Sequence, residues 1–547
     1  MILVQYMTKS SITELTSNNK KNKVVIHLSS STKLGHYRAS CLILFAFSCV
    51  SSDCFGELME DLTVLSPKAI AMANAVTADP PGIDSIHFNP AGLMQFEGDT
   101  LELKLATFDL KNRYSTGPQQ VDPTVKASYE NLTQSPYPQD PYANQQGATS
   151  EPVLLIPGGS TETVPFPIVP LGGAATRNAQ HQMVFASAVY SPMMVGFSRP
   201  DDDLGRYQGN ETAISRITYF SPSFGFQVGD SLALGLGINF SYQGLALRME
   251  NRAPQASAAI LGGLLSGVSG QQIGPGPYDD VATLNIAAED YLSVGFNLGL
   301  LWSPLPWFTL GLAYRSAAKS NLEGDFSMRY SHSMQELSTE LRPIFPKMEG
   351  VEFERGEVKM EFTTPQHMSL GTSIMVTTKF KLNVDVQKSF YSEWDKFTFD
   401  FDQPLDYLVF ASLLDSDGQD ESLTLQRNYK NALSWSIAAG YQWDKSLLLR
   451  AGYQRRNSNI PGNALDLIIP ISDADFYGVG FAYSTSEDSH IDLGLGYLVS
   501  RYNIDYGQSN NANSDAPLDL IYNPYAYLPI RASTRAFLLS VSYRKPF

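Results

Sequence analysis

The sequence predicts an all-β fold, a membrane β-barrel of about fourteen antiparallel strands. Three observations lead there: segments of about ten residues alternate apolar with small or polar side chains, their connections are short on one side and long on the other, and aromatic residues gather at the segment ends. The clearest dyad runs Leu232, Leu234, Leu236, Ile238, Phe240 and Tyr242, with Ala233, Gly235, Gly237, Asn239, Ser241 and Gln243 between. Soluble sheets alternate too, but they turn the apolar face inward and put charge on the other. Here the second face is Gly, Ser, Asn and Ala, with an occasional Lys381, Asp385 or Arg450.

The 547 residues include 39 Lys+Arg and 55 Asp+Glu, a net charge of −16, so the basic surface that nucleic acid requires is missing. An aromatic content of 11% excludes a disordered acidic chain. No apolar run approaches the roughly 20 residues of a membrane-spanning helix. All three cysteines, Cys41, Cys49 and Cys54, lie in one N-terminal stretch, where Lys33 and Arg38 precede the apolar run 41–47 and the small residues Ser48, Ser51, Ser52 and Gly56 follow it. That order of segments reads as a secretory signal peptide. Residues 1–56 are therefore set aside as leader and signal peptide, 57–99 form a separate N-terminal segment, and 100–547 form the barrel. The cysteine-free remainder suits an oxidising envelope compartment.

In order, strands are predicted at 100–110, 162–176, 180–190, 212–228, 231–247, 288–302, 307–319, 357–376, 379–398, 430–443, 446–456, 474–485, 489–503 and 532–547. Short turns stand at Gly229-Asp230, Ser303-Pro304-Leu305-Pro306, Thr377-Thr378-Lys379, Asp444-Lys445 and Glu487-Asp488-Ser489, and long connections cover 111–161, 249–286, 320–355 and 400–428. Short turns on the periplasmic side place both ends of the barrel there. The last strand sets Phe537, Leu539, Val541, Tyr543 and Phe547 on one face, and its terminal aromatic resembles the sorting signal of outer-membrane barrels.

Residues 57–99 do not alternate, yet they are dense in small residues and end in Ser85-Ile86-His87-Phe88-Asn89-Pro90-Ala91-Gly92-Leu93. This stretch resembles the signature of the long-chain fatty acid outer-membrane transporter family (FadL/OmpP1/TodX-like). Gly205-Arg206-Tyr207, Phe296–Trp302, Leu312–Ser316 with Leu322-Glu323-Gly324, and Asp473–Tyr477 extend the likeness over nearly the whole barrel. The resemblance implies an N-terminal hatch inside a fourteen-stranded barrel of the Gram-negative outer membrane, with Phe88, Asn89, Pro90, Ala91 and Gly92 as gating residues. It also implies a lateral exit at a kink in the third strand. Departures are Pro80-Pro81-Gly82 before the hatch motif, a long Pro/Gln-rich loop at 111–161, and Ala and Ser in place of Gly in the third-strand segment 185–190.

No Walker loop, HExxH or GxSxG motif is present. The five histidines after residue 56, His87, His181, His332, His367 and His490, show no metal-ligand spacing, so neither cofactor nor metal is expected. The reading is a monomeric channel, not an enzyme, for passive uptake of long-chain fatty acids or similar hydrophobic compounds, embedded in outer-membrane lipid. Its alternatives are uptake of aromatic or alkane hydrocarbons and, in a different class, a lipase with His367 and Ser369 on the outer wall. Gly235, Gly237, Gly295, Gly299, Gly494 and Gly496 would leave inner room for hatch and ligand. The apolar loop stretch with Ile260, Leu261, Leu264 and Leu265 would capture acyl chains. Arg248, Lys430 and Arg315 are the candidate carboxylate partners, the first two because they resemble family positions. Asn89-Pro90 is expected to hold the hatch by a few local hydrogen bonds.

Overall fold

The computed structural model describes residues 61–547 except 159, 165–166, 179, 181, 253–273, 413–418, 486–488 and 515–522. The leader and signal peptide, and the loop residues Ile260, Leu261, Leu264 and Leu265, lie outside the described residues.

Strong alternation makes strands, and the described strands close one antiparallel barrel of fourteen. Strand 1 is Thr100–Thr116, strand 2 Val169–Asn178, strand 3 Met183–Ser198, and strand 4 Glu211–Phe220 continued by Ser223–Val228. Strand 5 is Leu232–Arg252 and strand 6 Asp280–Leu305. Strand 7 joins Phe308–Arg315 to Ala318–Tyr330, and strand 8 joins Phe353–Thr364 to His367–Met375. Strand 9 is Phe380–Ser389 with Lys396–Phe401, and strand 10 is Ser422–Gln426 with Ala432–Gln442. Strands 11 to 14 are Leu447–Arg456, Ala474–Ser484, His490–Ile504 and Ile530–Pro546. Each pairs with its sequence neighbour, and strand 14 returns to strand 1 from Thr100↔Pro546 to Thr116↔Ile530.

The faces follow the dyads. Leu234, Leu236 and Ile238 are 37–41% exposed while Gly235, Gly237 and Asn239 between them are buried, so the apolar face points out, as a lipid-facing wall requires. Trp302, Trp307, Trp435, Tyr441, Trp443, Tyr477 and Tyr483 are exposed on that same outer face.

The strands depart from the predicted bounds in several places. Strands 6, 7 and 8 reach past their predicted ends, to Asp280, Tyr330 and Phe353, where Leu284, Ile286, Leu322, Phe326, Val358 and Met360 stay buried while outward positions such as Thr283, Asn285, Glu323, Asp325, Glu357 and Lys359 turn polar. Strand 3 continues to Ser198, and 160–163 belongs not to strand 2 but to a separate hairpin, Val153–Ile156 with Ser160–Thr163. This hairpin packs Val153 and Leu155 against Ala213 and Ala246.

The wall also changes course along one line. Register shifts between Tyr190 and Met193 in strand 3, where Pro192 removes a ladder donor, and between Asp290 and Ser293 in strand 6. Strands 4, 7, 8, 9 and 10 are interrupted at Ser221-Pro222, Ser316-Ala317, Pro365-Gln366, 390–395 and 427–431. These breaks sit side by side, because Tyr190 pairs with Thr218, Arg315 with His367, His367 with Ser389, and Ser389 with Ala432.

Candidate functional site

Inside the barrel, residues 61–99 fold as short helices, Pro67–Ala71 and Ser85–Phe88, and a 3-10 helix Pro90–Gln95. Pro opens two of them at N1, where its missing N–H costs nothing, and Asn89 caps the last by accepting from Ala91 N. No helix here exceeds two turns, so tertiary contacts must fix the segment.

Inner-face glycines make the seat. A Cβ on Gly235 or Gly299 would strike the backbone at Pro90–Ala91, one on Gly311 that of Thr77, one on Gly452 that of Met72, one on Gly478 that of Ile70, and one on Gly494 that of Pro67. Gly237 and Gly496 face the neighbouring side chains Ser223 and Phe476, and a Cβ on Gly295 would make ordinary contacts with Ser316, Ala318 and Arg216. Around this seat runs a ring of long-range hydrogen bonds. Lys104 Nζ donates to Val64 O (2.7 Å) and Asp84 Oδ1 (2.8 Å), Asn297 to Ile86 O (2.7 Å), Asn383 to Ala75 O (2.8 Å) and Ser540 Oγ to Leu65 O (2.6 Å). Thr77 N donates to Asp385 Oδ2 at 2.6 Å. Val64, Ile83, Ile86, Phe88, Leu93 and Phe96 add an apolar cluster with Val184, Ala186 and Tyr190 of strand 3. The expectation of a few local hydrogen bonds is thus corrected: wall and hatch form one interlocked core.

At the line of breaks the hatch carries its most polar contact. Asp61, 2% exposed, receives both nitrogens of Arg315, His87 Nε2 at 2.7 Å and the amide of Gln387. Burial alone would raise the Asp61 carboxyl, but the Arg315 guanidinium overrides it and, with His87, holds it well below the usual range. Burial, reinforced by Arg315, lowers His87 to about 4, so the imidazole is neutral near pH 7. A histidine depressed in the seated hatch and ordinary in the released one binds its proton only on release. The His87 contribution to seating is therefore expected to weaken as pH falls from about 6.5 toward 4. Amide exchange of 61–99 against pH, compared between the unaltered protein and His87→Gln, isolates that contribution as the difference between the two profiles.

Beside the third-strand break lies an apolar chamber of about 60 Å³ lined by Leu110, Met193, Val195, Phe197, Ile214, Trp394 and 468–471, with Thr212 and Thr534 as its polar members. Trp394 is fully buried and its Nε1 donates to Thr363 O at 2.7 Å. Strand 2 stops at Val169, opposite Ala106, so beyond Ala106 strand 1 is joined to strand 3 only higher up, through the segment around Thr149–Pro152. The chamber thus adjoins a short stretch of wall between Leu110 and Met193 that no paired strand fills.

Both the sequence and the fold match known proteins. Residues 54–547 match the family model for outer membrane protein transport protein (OMPP1/FadL/TodX). The chain belongs to this family. Outer membrane protein P1 of Haemophilus influenzae is 23% identical over 302 residues, covering 54% of this chain and 58% of that protein, so the alignment spans little more than half of the relative. Two solved structures share the fold: a Pseudomonas aeruginosa FadL homologue (TM-score 0.64, 16% identity, 90% of this chain and 100% of that one) and the Pseudomonas putida toluene transporter TodX (0.57, 16%, 90% and 99%). The chain is accordingly an outer-membrane β-barrel of the OMPP1/FadL/TodX family.

Within this family member, the residues around Asn89 are packed against the wall. Asn89 Nδ2 donates to Thr77 O (2.7 Å) and to Leu300 O of strand 6 (3.2 Å), while Phe88, Pro90, Ala91 and Gly92 are buried around it. Asn89→Ala removes these bonds and the cap, a loss of about 1–2 kcal/mol. The barrel should stay heat-resistant while substrate uptake falls; unchanged uptake would remove the gating role.

The three carboxylate candidates are not brought together. Arg248 lies on the outer face of the wall, 3.5 Å from Asp201, in a charged recess of about 680 Å³ that also holds Glu211, Asp325, Arg355 and Glu357. It sits there because the even residues of strand 5 face out and strand 5 runs on into the polar extension. Lys430 is exposed, and its backbone N–H donates to Asn459 O at 2.9 Å. Arg315 does face the lumen, but it is committed to Asp61. His367 and Ser369 line the inside rather than the outer wall, and His367 Nδ1 pairs with Ser389 Oγ at 3.0 Å instead of Ser369. Asp61, His87, Gln387 and Trp394 were missed as partners, since they are remote in sequence and carry no motif beyond the His87-containing hatch stretch.

Proposed function

We propose that this barrel takes up long-chain fatty acids or similar hydrophobic compounds by diffusion. The observation that carries the reading is the apolar chamber beside the unfilled stretch of wall at the third-strand break. No charged side chain lines the chamber, so it suits an acyl chain or a hydrocarbon and repels small polar solutes. Its volume is well below the roughly 300 Å³ at which ligand pockets begin, so uptake involves movement of the hatch or of Trp394 and its neighbours. In this reading ligand enters from outside, rests in the chamber, and leaves sideways past strand 3, driven by concentration alone.

Hydrocarbon uptake is the second reading, favoured by the chamber's uncharged lining and by likeness to a structure described as a toluene transporter. Radiolabelled palmitate and toluene uptake into cells with and without the protein decides between them. Uptake of neither would end both readings. Hydrolysis of lipid by the pure barrel would reopen the enzymatic alternative.

A further inference from the structure

We infer that the hairpin 153–163, on the outside of the barrel, is a latch on the lateral window, the unfilled stretch of wall between Leu110 and Met193. Seated on the outer wall it keeps the window shut, and its release sets the rate at which ligand leaves the chamber. The inference rests on the uptake reading and deepens its exit step.

The wall carries a seat for it. Gly196 of strand 3 pairs with Ala213 of strand 4, Ala213 with Ala246 of strand 5, and Ala246 with Ala287 of strand 6, so one row of small residues crosses four strands. The row faces out, because Ala246 shares the even-numbered face of strand 5 with the exposed Leu234, Leu236 and Ile238. Yet here that face is covered: Ala213, Tyr242 and Ala246 are at most 5% exposed. Val153 and Leu155 pack there, a Cβ on Gly196 would strike Val153 O, and one on Gly244 would crowd Leu155 Cδ2. At the hairpin tip Gly158 N donates to Glu289 Oε2 of strand 6, and Tyr242 OH donates to the same oxygen, both at 3.0 Å.

The hairpin is tied to both rims of the window. At the upper rim Val164 N donates to Pro152 O (3.1 Å), Pro152 bridges Phe197 of strand 3, and Ser198 N donates to Glu151 O (2.9 Å). At the lower rim strand 2 begins at Val169, five residues after Val164 and opposite Ala106. Pro167, just before it, has no N–H with which to carry the ladder upward. So short a link leaves little slack: outward movement of the top of strand 2 pulls on the hairpin, and a seated hairpin resists it. Release is within reach, because a two-stranded hairpin is marginally stable alone and this one, with four residues in each strand, depends on the wall for its form.

The test locks the hairpin and, separately, loosens it, with radiolabelled palmitate and toluene as probes. No cysteine follows Cys54, so Leu155→Cys combined with Ala246→Cys meets no competing thiol in the barrel. Joined by oxidation, this pair should lower uptake by cells at least about tenfold, leave equilibrium binding to the purified full-length barrel within about twofold, and regain uptake on reduction with dithiothreitol. Leu155→Ala, which needs no cross-link and empties part of the seat, should raise uptake at least about twofold while heat-modifiable mobility persists. Undiminished uptake through the cross-linked barrel would overturn the latch, as would uptake that stays lost after reduction. Leu155→Ala uptake no faster than that of the unaltered protein would overturn it without any cross-link. All three results leave uptake itself standing, whereas unaltered protein that carries neither palmitate nor toluene would overturn the uptake reading and the latch with it.

Discussion

Asp61→Ala is expected to release the hatch while leaving the wall assembled. The substitution leaves Arg315 buried without a counter-ion and deprives His87 and Gln387 of a shared acceptor. Breaking one half of a buried pair costs about 3–5 kcal/mol, enough to shift seating more than a hundredfold. The wall strands keep every ladder bond, so heat-modifiable mobility should persist while conductance to small ions in planar bilayers rises. Arg315→Ala should act in the same direction, and the double variant should cost less than the two singles added, since they remove one interaction. Closed, non-conducting Asp61→Ala channels would show that the glycine seat alone retains the hatch.

Gly299→Ala should be almost as damaging, although it adds one methyl group. That methyl would stand 2.8 Å from Ala91 N and from Pro90 Cδ, and would meet the Asn89 side chain, so the hatch must lift or the strand must bow. Overpacking of this kind costs about 1–3 kcal/mol and here also strains the Asn89 bonds to Thr77 and Leu300. Gly440→Ala makes the same chemical change on the inner face, where the nearest atom would be 3.6 Å away, and should be silent. Equal conductance in both variants would mean that the inner glycines do not shape the seat.

Much of the barrel was readable because a period of two carries one binary fact per residue, in or out. Leu234 and Gly235 declare their faces without knowledge of any partner, and so do the fourteen strands and their turns. The polar outer parts of strands 6 to 8 were not readable as strand, since above the membrane both faces become polar or packed under loops and the contrast fades, as at Thr283 and Asn285. The hatch motif was readable through Asn89-Pro90, a local device. The polar contacts that seat the hatch were not, because Asp61, Arg315 and Gln387 meet only when distant strands are rolled into one lumen.

The joint between strands 1 and 14 has a consequence for assembly. Every other joint in the wall unites neighbours in sequence, so each can form by a short local search, whereas this one must bring together the two ends of the whole barrel. The hatch touches both sides of it: Glu102 and Lys104 of strand 1 hold Ile83, Val64 and Asp84, and Ser540 of strand 14 reaches Leu65. It is a splint laid across the slowest joint, offering the incoming last strand a prepared acceptor. Loss of residues 61–99 should therefore delay the closing of the ring far more than it weakens the ring once closed.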